Sequence, residues 1–333
     1  MRTFRKLIAL AIAAWIALTY PTKPSIENLR QAFRRPVAIP YPDHNPYSKE
    51  KEQLGRELFF DTTLSRNHDM SCATCHNPNL AWSDGRSRGV GAHGQTLDRK
   101  VPTVLNVAWG WSFFWDGRAA SLEEQALKPV QSEKEMNLTV PELVTRLNAV
   151  PHYVAAFEKA FSGVGITADT LSMALATFEL GIVSAASPFD AWVEGNDHAI
   201  STSAARGFLL FNTKARCVNC HSGWNLTNGS YADTGLLSKD RGRGHLVPNT
   251  ALDFTFKTPT LRNIAKRAPY MHDGQFATLT AVIDHYNAGG ARAGKVKFVQ
   301  PLGLTHSEKQ DLLAFLDTLT GGTEPWRSRF ASQ

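Results

Sequence analysis

"SCATCH" (71–76) and "RCVNCH" (216–221) together hold every cysteine in this 333-residue chain, as Cys72-x-x-Cys75-His76 and Cys217-x-x-Cys220-His221. A lone Cys-x-x-Cys has several uses. A disulfide after export would not need a histidine after each pair. A zinc site needs four ligands and more often draws paired Cys-x-x-Cys units into one small domain. A thioredoxin-like redox pair expects a βαβ setting, and alternating strand patterns are scarce here. The pentad with its adjacent histidine is the attachment signal for c-type haem: two thiols form thioethers and the histidine reaches the iron. Two such pentads with no cysteine left over predict two covalent haems.

The rest of the chain suits an exported, folded protein. "MRTFRK" (1–6) is basic and "LIALAIAAWIAL" (7–18) is apolar, twelve residues long. That is short for a bilayer span and right for a secretory signal, so 1–19 reads as a signal peptide, with an uncleaved anchor as the alternative. The expected location is the periplasm. The chain is 43% hydrophobic and 20% charged, enough to bury a core. Its formal charge is +6. Losing Arg2, Arg5 and Lys6 with the signal leaves a balance too mild to argue for nucleic acid.

Helical patterns dominate. Pro-rich 20–47 reads as an extended arm or linker. "SKEKEQLGRELFF" (48–60) places Leu54, Leu58 and Phe59 on one helix face. "SLEE" (121–124), "TVPE" (139–142) and "THSE" (305–308) are capping-box starts. "ADTLSMALATFELGIVSA" (168–185) reads as one long apolar helix. Each pentad follows an amphipathic helix and precedes long loops. The expected architecture is mainly α: two cytochrome c-like domains, 48–190 and 197–325, each with one covalent haem and few strands.

Several spaced stretches resemble the bacterial dihaem cytochrome c peroxidases and their MauG and MbnH relatives. They are "GRELFFD" (55–61), "VPTVLN" (101–106), "FFWDGRAASLEEQALKPV" (113–130), "TPTLRNIAKRAPYMHDG" (258–274) and "TLTAVIDHYNAGG" (278–290). The resemblance runs from about 48 to 321. It implies a high-spin, peroxide-binding haem in the first domain and a low-spin haem in the second. It implies that Trp115 bridges the haems, where a core aromatic is the plainer reading. It implies that Gln125, Pro129 and Glu135 form the distal pocket of the first haem, with Glu133 the rival carboxylate. A carboxylate there can move a proton between the two peroxide oxygens.

The family's sixth ligand on the second haem is Met in the peroxidases and Tyr in MauG and MbnH. The matching position here is Tyr286; Met271 is the competing ligand and His285 the neighbour. An anionic phenolate favours ferric and higher states, whereas a thioether favours ferrous iron. Two positions depart from the family. Its interdomain calcium takes an Asn side chain and two carbonyls; here those positions are Lys100, Arg267 and Pro269, which puts calcium in doubt. Its capping His falls at Ala92, with His93 one residue away, so an open first haem is expected. The resemblance thus implies an enzyme that uses hydrogen peroxide to reach a high-valent dihaem state and oxidises a residue, expected to be Trp, of a periplasmic partner protein. The alternative is a cytochrome c peroxidase fed by a small donor such as cytochrome c or a cupredoxin. A plain dihaem electron carrier is the third reading.

Overall fold

The computed structural model describes residues 26–247, 249–292, 296 and 298–322. The expected signal peptide and the start of the arm lie outside them. In chain order the helices are α1 (Ile26–Gln31), α2 (Lys49–Phe60), α3 (Cys72–Cys75), α4 (Leu122–Ala126), α5 (Lys128–Gln131), α6 (Val140–Asn148) and α7 (Pro151–Ala160). They continue with α8 (Ala168–Leu180), α9 (Pro188–Val193), α10 (Thr202–Asn212), α11 (Leu279–Asn287) and α12 (His306–Asp317). The one ladder among the described residues joins β1 (Tyr231–Asp233) to β2 (Thr255–Lys257), antiparallel, with Tyr231 opposite Lys257. The fold is mainly α, as the patterning predicts.

Each domain is built on one helix crossing that a glycine makes possible. In the first, α2 starts at Ser48, whose side chain accepts from the Lys51 N–H at 3.2 Å, and it buries Leu54, Leu58 and Phe59 as its period predicts. Gly55 lies on the same face. A Cβ there would sit 1.9 Å from the Ala174 carbonyl oxygen of α8, so only glycine permits that approach. In the second domain a Cβ on Gly207 of α10 would stand at the same 1.9 Å from the Asp311 carbonyl oxygen of α12. Phe208, Phe211 and Phe315 fill the space around that crossing.

Three expectations need correction. The 20–47 arm is more than an extended linker: it contains α1, and Phe33 is 1% exposed, edge-on to Phe189 and Phe208 at 5.8 and 5.3 Å. Arg30 stacks over Trp192 at 3.8 Å and pairs with Asp197. Further along the arm, buried Asn45 donates to Glu123 and to the Met173 carbonyl, so the arm straps both domains. The long apolar helix ends at Leu180 rather than 185, because Gly181 caps it. The domain change comes earlier than residue 190: Ile182 packs in the first core, while Phe189, Trp192 and Val193 of α9 pack in the second.

The two cores meet through polar contacts. Asn106 donates to Asn225 at 2.9 Å and to Ser184 at 3.1 Å. The edge-to-face pair of Trp109 and Trp224, 4.5 Å apart, lies beside them. Asp190 holds both Arg262 (2.8 Å) and Arg35 (3.3 Å) out of solvent.

Candidate haem sites and the cavity between the domains

The two pentads end on the same device. His76 follows the short turn α3, and its Nδ1 lies 3.3 Å from the Trp82 carbonyl oxygen. His221 follows a 3-10 turn over Cys217–Asn219, with Nδ1 2.9 Å from the Leu226 carbonyl oxygen. A carbonyl only accepts, so each Nδ1 carries the proton and each Nε2 keeps a free lone pair. Trp82 and Leu226 both adopt positive φ, 60° and 48°, which turns their carbonyls toward the rings. Burial holds His76 below the usual histidine range and His221 down at about 4, so both rings are neutral at neutral pH, as metal ligands must be.

All four cysteines are unpaired with one another. Among the described residues no cluster of three or more His, Cys, Asp or Glu could hold a metal ion on its own. The space fits a large prosthetic group: one cavity of about 1240 Å³ is lined by Cys72, Cys75 and His76 at one end and by Ser222, Gly223 and Trp224, just after the second pentad, at the other. An ordinary small-molecule pocket holds roughly 300–1,000 Å³. Free thiol pairs, neutral imidazoles and this volume together fit covalent haem.

Gln125, Pro129 and Glu135 all line the cavity with the first pentad. Glu135 is fixed through its backbone, donating to Ser132 at 3.0 Å and accepting from Ala92 at 2.8 Å. Burial raises its carboxyl above the usual range, while Ser132 and Arg118 pull it back. Glu133 is exposed and does not line the cavity. His93 is exposed in a turn at φ 57° and does not line it either; Ala92 is the buried residue there.

Trp115 sits between the domains. Its Nε1 donates to the Lys100 carbonyl of the first domain at 2.8 Å, and its own carbonyl accepts from the Lys257 N–H of the second at 2.7 Å. Tyr286 lies on α11, which Thr278 caps by accepting from Ala281 at 3.1 Å. Burial, and after it the Cys217 and Cys220 thiols, raise the Tyr286 phenol well above its ordinary range, and one turn earlier on the same helix Ile283 packs in the core that Cys217 joins. His285 is committed elsewhere, its Nε2 2.8 Å from the Thr234 carbonyl oxygen. Met271 lines the shared cavity at φ 75°, whereas Tyr286 does not line it. The two candidate ligands therefore occupy different places.

Three cavity residues escaped the sequence reading. Glu179, on α8 beside Cys72, is buried and pushed up to about 8 by burial and by Glu123. A lone acid in "ALATFELGIV" was the available signal. Lys257 is brought down to about 8 by burial, with Asp116 opposing, and donates from Nζ to the Ser112 carbonyl at 2.6 Å. Trp111 lines the cavity yet is 56% exposed, edge-on to Tyr231 at 5.6 Å.

Comparison with known proteins agrees with this geometry. The di-haem cytochrome c peroxidase family model matches residues 49–198, and the cytochrome c model matches 204–320. The methylamine utilization protein MauG of Methylorubrum extorquens is 48% identical over 296 residues, 87% of this chain and 84% of that protein. The cytochrome c551 peroxidase of Pseudomonas aeruginosa is 36% identical over 288 residues, covering 83% and 80%. A solved MauG-like protein associated with microbial copper homeostasis superposes with a TM-score of 0.82 at 32% identity, covering 90% of this chain and 97% of that one. The unpaired thiols, the tied imidazoles and these relatives lead to one conclusion: the chain belongs to the di-haem cytochrome c peroxidase and MauG family of haem-dependent oxidoreductases, and carries two covalent c-type haems.

Proposed function

We propose that this enzyme uses hydrogen peroxide to oxidise a residue of a partner protein at a distance, in the periplasm, rather than turning peroxide over with a small electron donor. Bound haem supplies an iron that draws two oxidising equivalents from peroxide; the chain decides where the proton and the electrons go. Glu135 is the proton carrier. Its carboxyl, raised by burial, suits general acid–base exchange, and Gln125 and Pro129 shape the space around it. His76 and His221 serve as proximal ligands through Nε2. With Ala92 buried and His93 turned to solvent, no imidazole from that loop competes for the first site.

The observation that carries the reading is Tyr286 on α11, whose Ile283 packs in the same core as Cys217, with His285 tied to Thr234 and Met271 on another surface. Tyr286 would hold ferric iron as a phenolate, its proton passing to solvent, and an anionic ligand there would disfavour the ferrous state. An enzyme ligated so suits storing oxidising power rather than waiting half-reduced. Trp115 passes electrons between the sites, held from both domains. Trp111, exposed at the cavity mouth beside Tyr231, offers an aromatic exit toward a docked protein. A tryptophan is the expected target, because its indole gives up electrons at lower potential than most side chains.

The likeness to the Pseudomonas aeruginosa peroxidase favours the second reading, a peroxidase fed by cytochrome c or a cupredoxin. Replacing Tyr286 separates the two. Tyr286→Met should convert the protein toward a form that needs reduction before it meets peroxide. No change in that requirement would leave Tyr286 a packed side chain and the peroxidase reading standing.

A further inference from the structure

Three charged side chains that peroxide chemistry does not use, Asp84, Lys100 and Arg267, lie at the seam between the domains, where the His272 backbone also reaches Lys100. The seam is tight. Gly274, at φ +67°, lies so close to the loop 84–88 that a Cβ would stand 2.3 Å from the Ser87 Cα. Across it the Lys100 N–H donates to the His272 carbonyl at 2.8 Å.

Lys100 is only 6% exposed. Its ammonium donates to the Arg86 carbonyl at 3.1 Å and lies 3.9 Å from Oδ1 of Asp84, whose own side chain is almost sealed from water. The other Asp84 oxygen and Arg267 Nε have no hydrogen-bond partner among the described residues. Burial and the nearby Arg267 depress the Lys100 ammonium, and Asp84 supports it. The seam thus holds two cations against one carboxylate.

That donor set does not fit the calcium that the family resemblance implies. Calcium takes six to eight oxygen ligands, commonly including carboxylates. An ammonium has no lone pair to give. A divalent ion here would sit beside two cations, Lys100 and Arg267, with Asp84 alone to offset them.

We propose that the Lys100 ammonium is itself the interdomain cation: it stands in place of a metal, neutralises Asp84, and positions Trp115 through the carbonyl of the same residue. One residue then ties three things together. Its side chain satisfies the buried acid, its N–H crosses to the second domain, and its carbonyl receives the Trp115 indole at 2.8 Å. Lys100 is a positioning residue, and the inference stands whichever enzyme reading of the haems holds.

The test uses the intact dihaem protein. After dialysis against calcium and then metal-free buffer, elemental analysis should find far less than one calcium per chain. A chelator should leave Tm and both haem potentials unchanged. Lys100→Met strands Asp84 and should lower Tm by roughly 5–10 °C. It should also shift the indole hydrogen-bond marker of Trp115 in ultraviolet resonance Raman, assigned by difference from Trp115→Phe. The double variant Lys100→Met with Asp84→Asn should recover most of the lost Tm, and it keeps the test alive where the single variant folds poorly. Stoichiometric calcium in the wild type, a Tm loss on chelation, or a double variant no more stable than the single one would overturn the proposal. An unmoved Trp115 marker in Lys100→Met would do the same for its positioning role.

Discussion

The indole nitrogen of Trp115 lies 2.8 Å from the carbonyl oxygen of Lys100, and the Trp115 carbonyl is 2.7 Å from the Lys257 nitrogen across the domain boundary. The ring is thus tied to the first domain and the backbone of the same residue to the second. Trp115→Phe keeps an aromatic ring but loses the first of these bonds. It should leave haem content and both ferric spectra intact while slowing electron exchange between the sites by tenfold or more. Stopped-flow spectra recorded at both haems after peroxide addition check this. Unchanged exchange would make Trp115 a core aromatic.

Glu135 carries a pH signature. As a base it acts only when ionised, and burial raises its carboxyl, so the rate with peroxide should fall as pH drops through a value above the ordinary glutamate range. Glu135→Gln should lower the rate by about 10²–10⁴-fold and abolish that limb of the profile. Glu133→Gln, on an exposed side chain, should do neither.

Glu179 should make the protein less stable toward alkaline pH. Its folded value of about 8 lies above the ordinary 4.5, so the folded state holds a proton that the unfolded chain gives up. The stability this contributes is full below the unfolded value and is lost as pH rises toward and through 8. Thermal melts of the holoprotein from pH 5 to 9 should decline. Glu179→Gln should flatten that decline and match or exceed the wild type at pH 8. A variant that melts lower at every pH would show that the carboxyl acts as an anion.

Trp111 should record the exit route. With no partner present, two oxidising equivalents from one peroxide have nowhere else to go. An indole then gains one oxygen from water and releases two electrons and two protons, which with the peroxide give two waters. Peptide mapping should find oxygen added at Trp111 ahead of half-buried Trp109 and Trp224, and less of it in Trp115→Phe. Addition confined to other residues would move the exit; none anywhere would count against long-range delivery itself.

Much of this was legible in the sequence because local rules carried it. The Cys-x-x-Cys-His pentads fix chemistry within five residues, and the Ser121, Thr139 and Thr305 caps mark helix starts that the fold keeps. The pocket positions of Gln125, Pro129 and Glu135 came from resemblance, because spacing alone does not say which carboxylate turns inward. What stayed hidden depends on contacts between distant segments. Gly55 and Gly207 each precede a Leu-Phe pair at the third and fourth positions, a shared signature of both crossings that passed unnoticed. Phe33 and Phe189 gave no local sign of packing in the second core rather than along a linker or in the first domain. Glu179 looked like one acid in an apolar helix, and only the fold shows it facing the cavity.

On the proposed ligation, replacing Tyr286 by Met exchanges an oxygen ligand for a thioether. The midpoint potential of the second haem should rise by on the order of 0.1 V or more, since axial ligands move haem potentials over roughly 0.8 V. Potentiometric titration followed by absorbance reads it directly. An unmoved potential would remove Tyr286 from the iron.

The most direct test is to mix the fully ferric wild-type protein with one equivalent of peroxide, without reductant, and follow both haem spectra. Storage of oxidising power predicts an immediate change at both haems and a state, two electrons above the starting one, that persists for minutes and decays when an oxidisable protein is added. A protein that stays unchanged until one haem is reduced, and then turns over rapidly with cytochrome c or a cupredoxin, would contradict it.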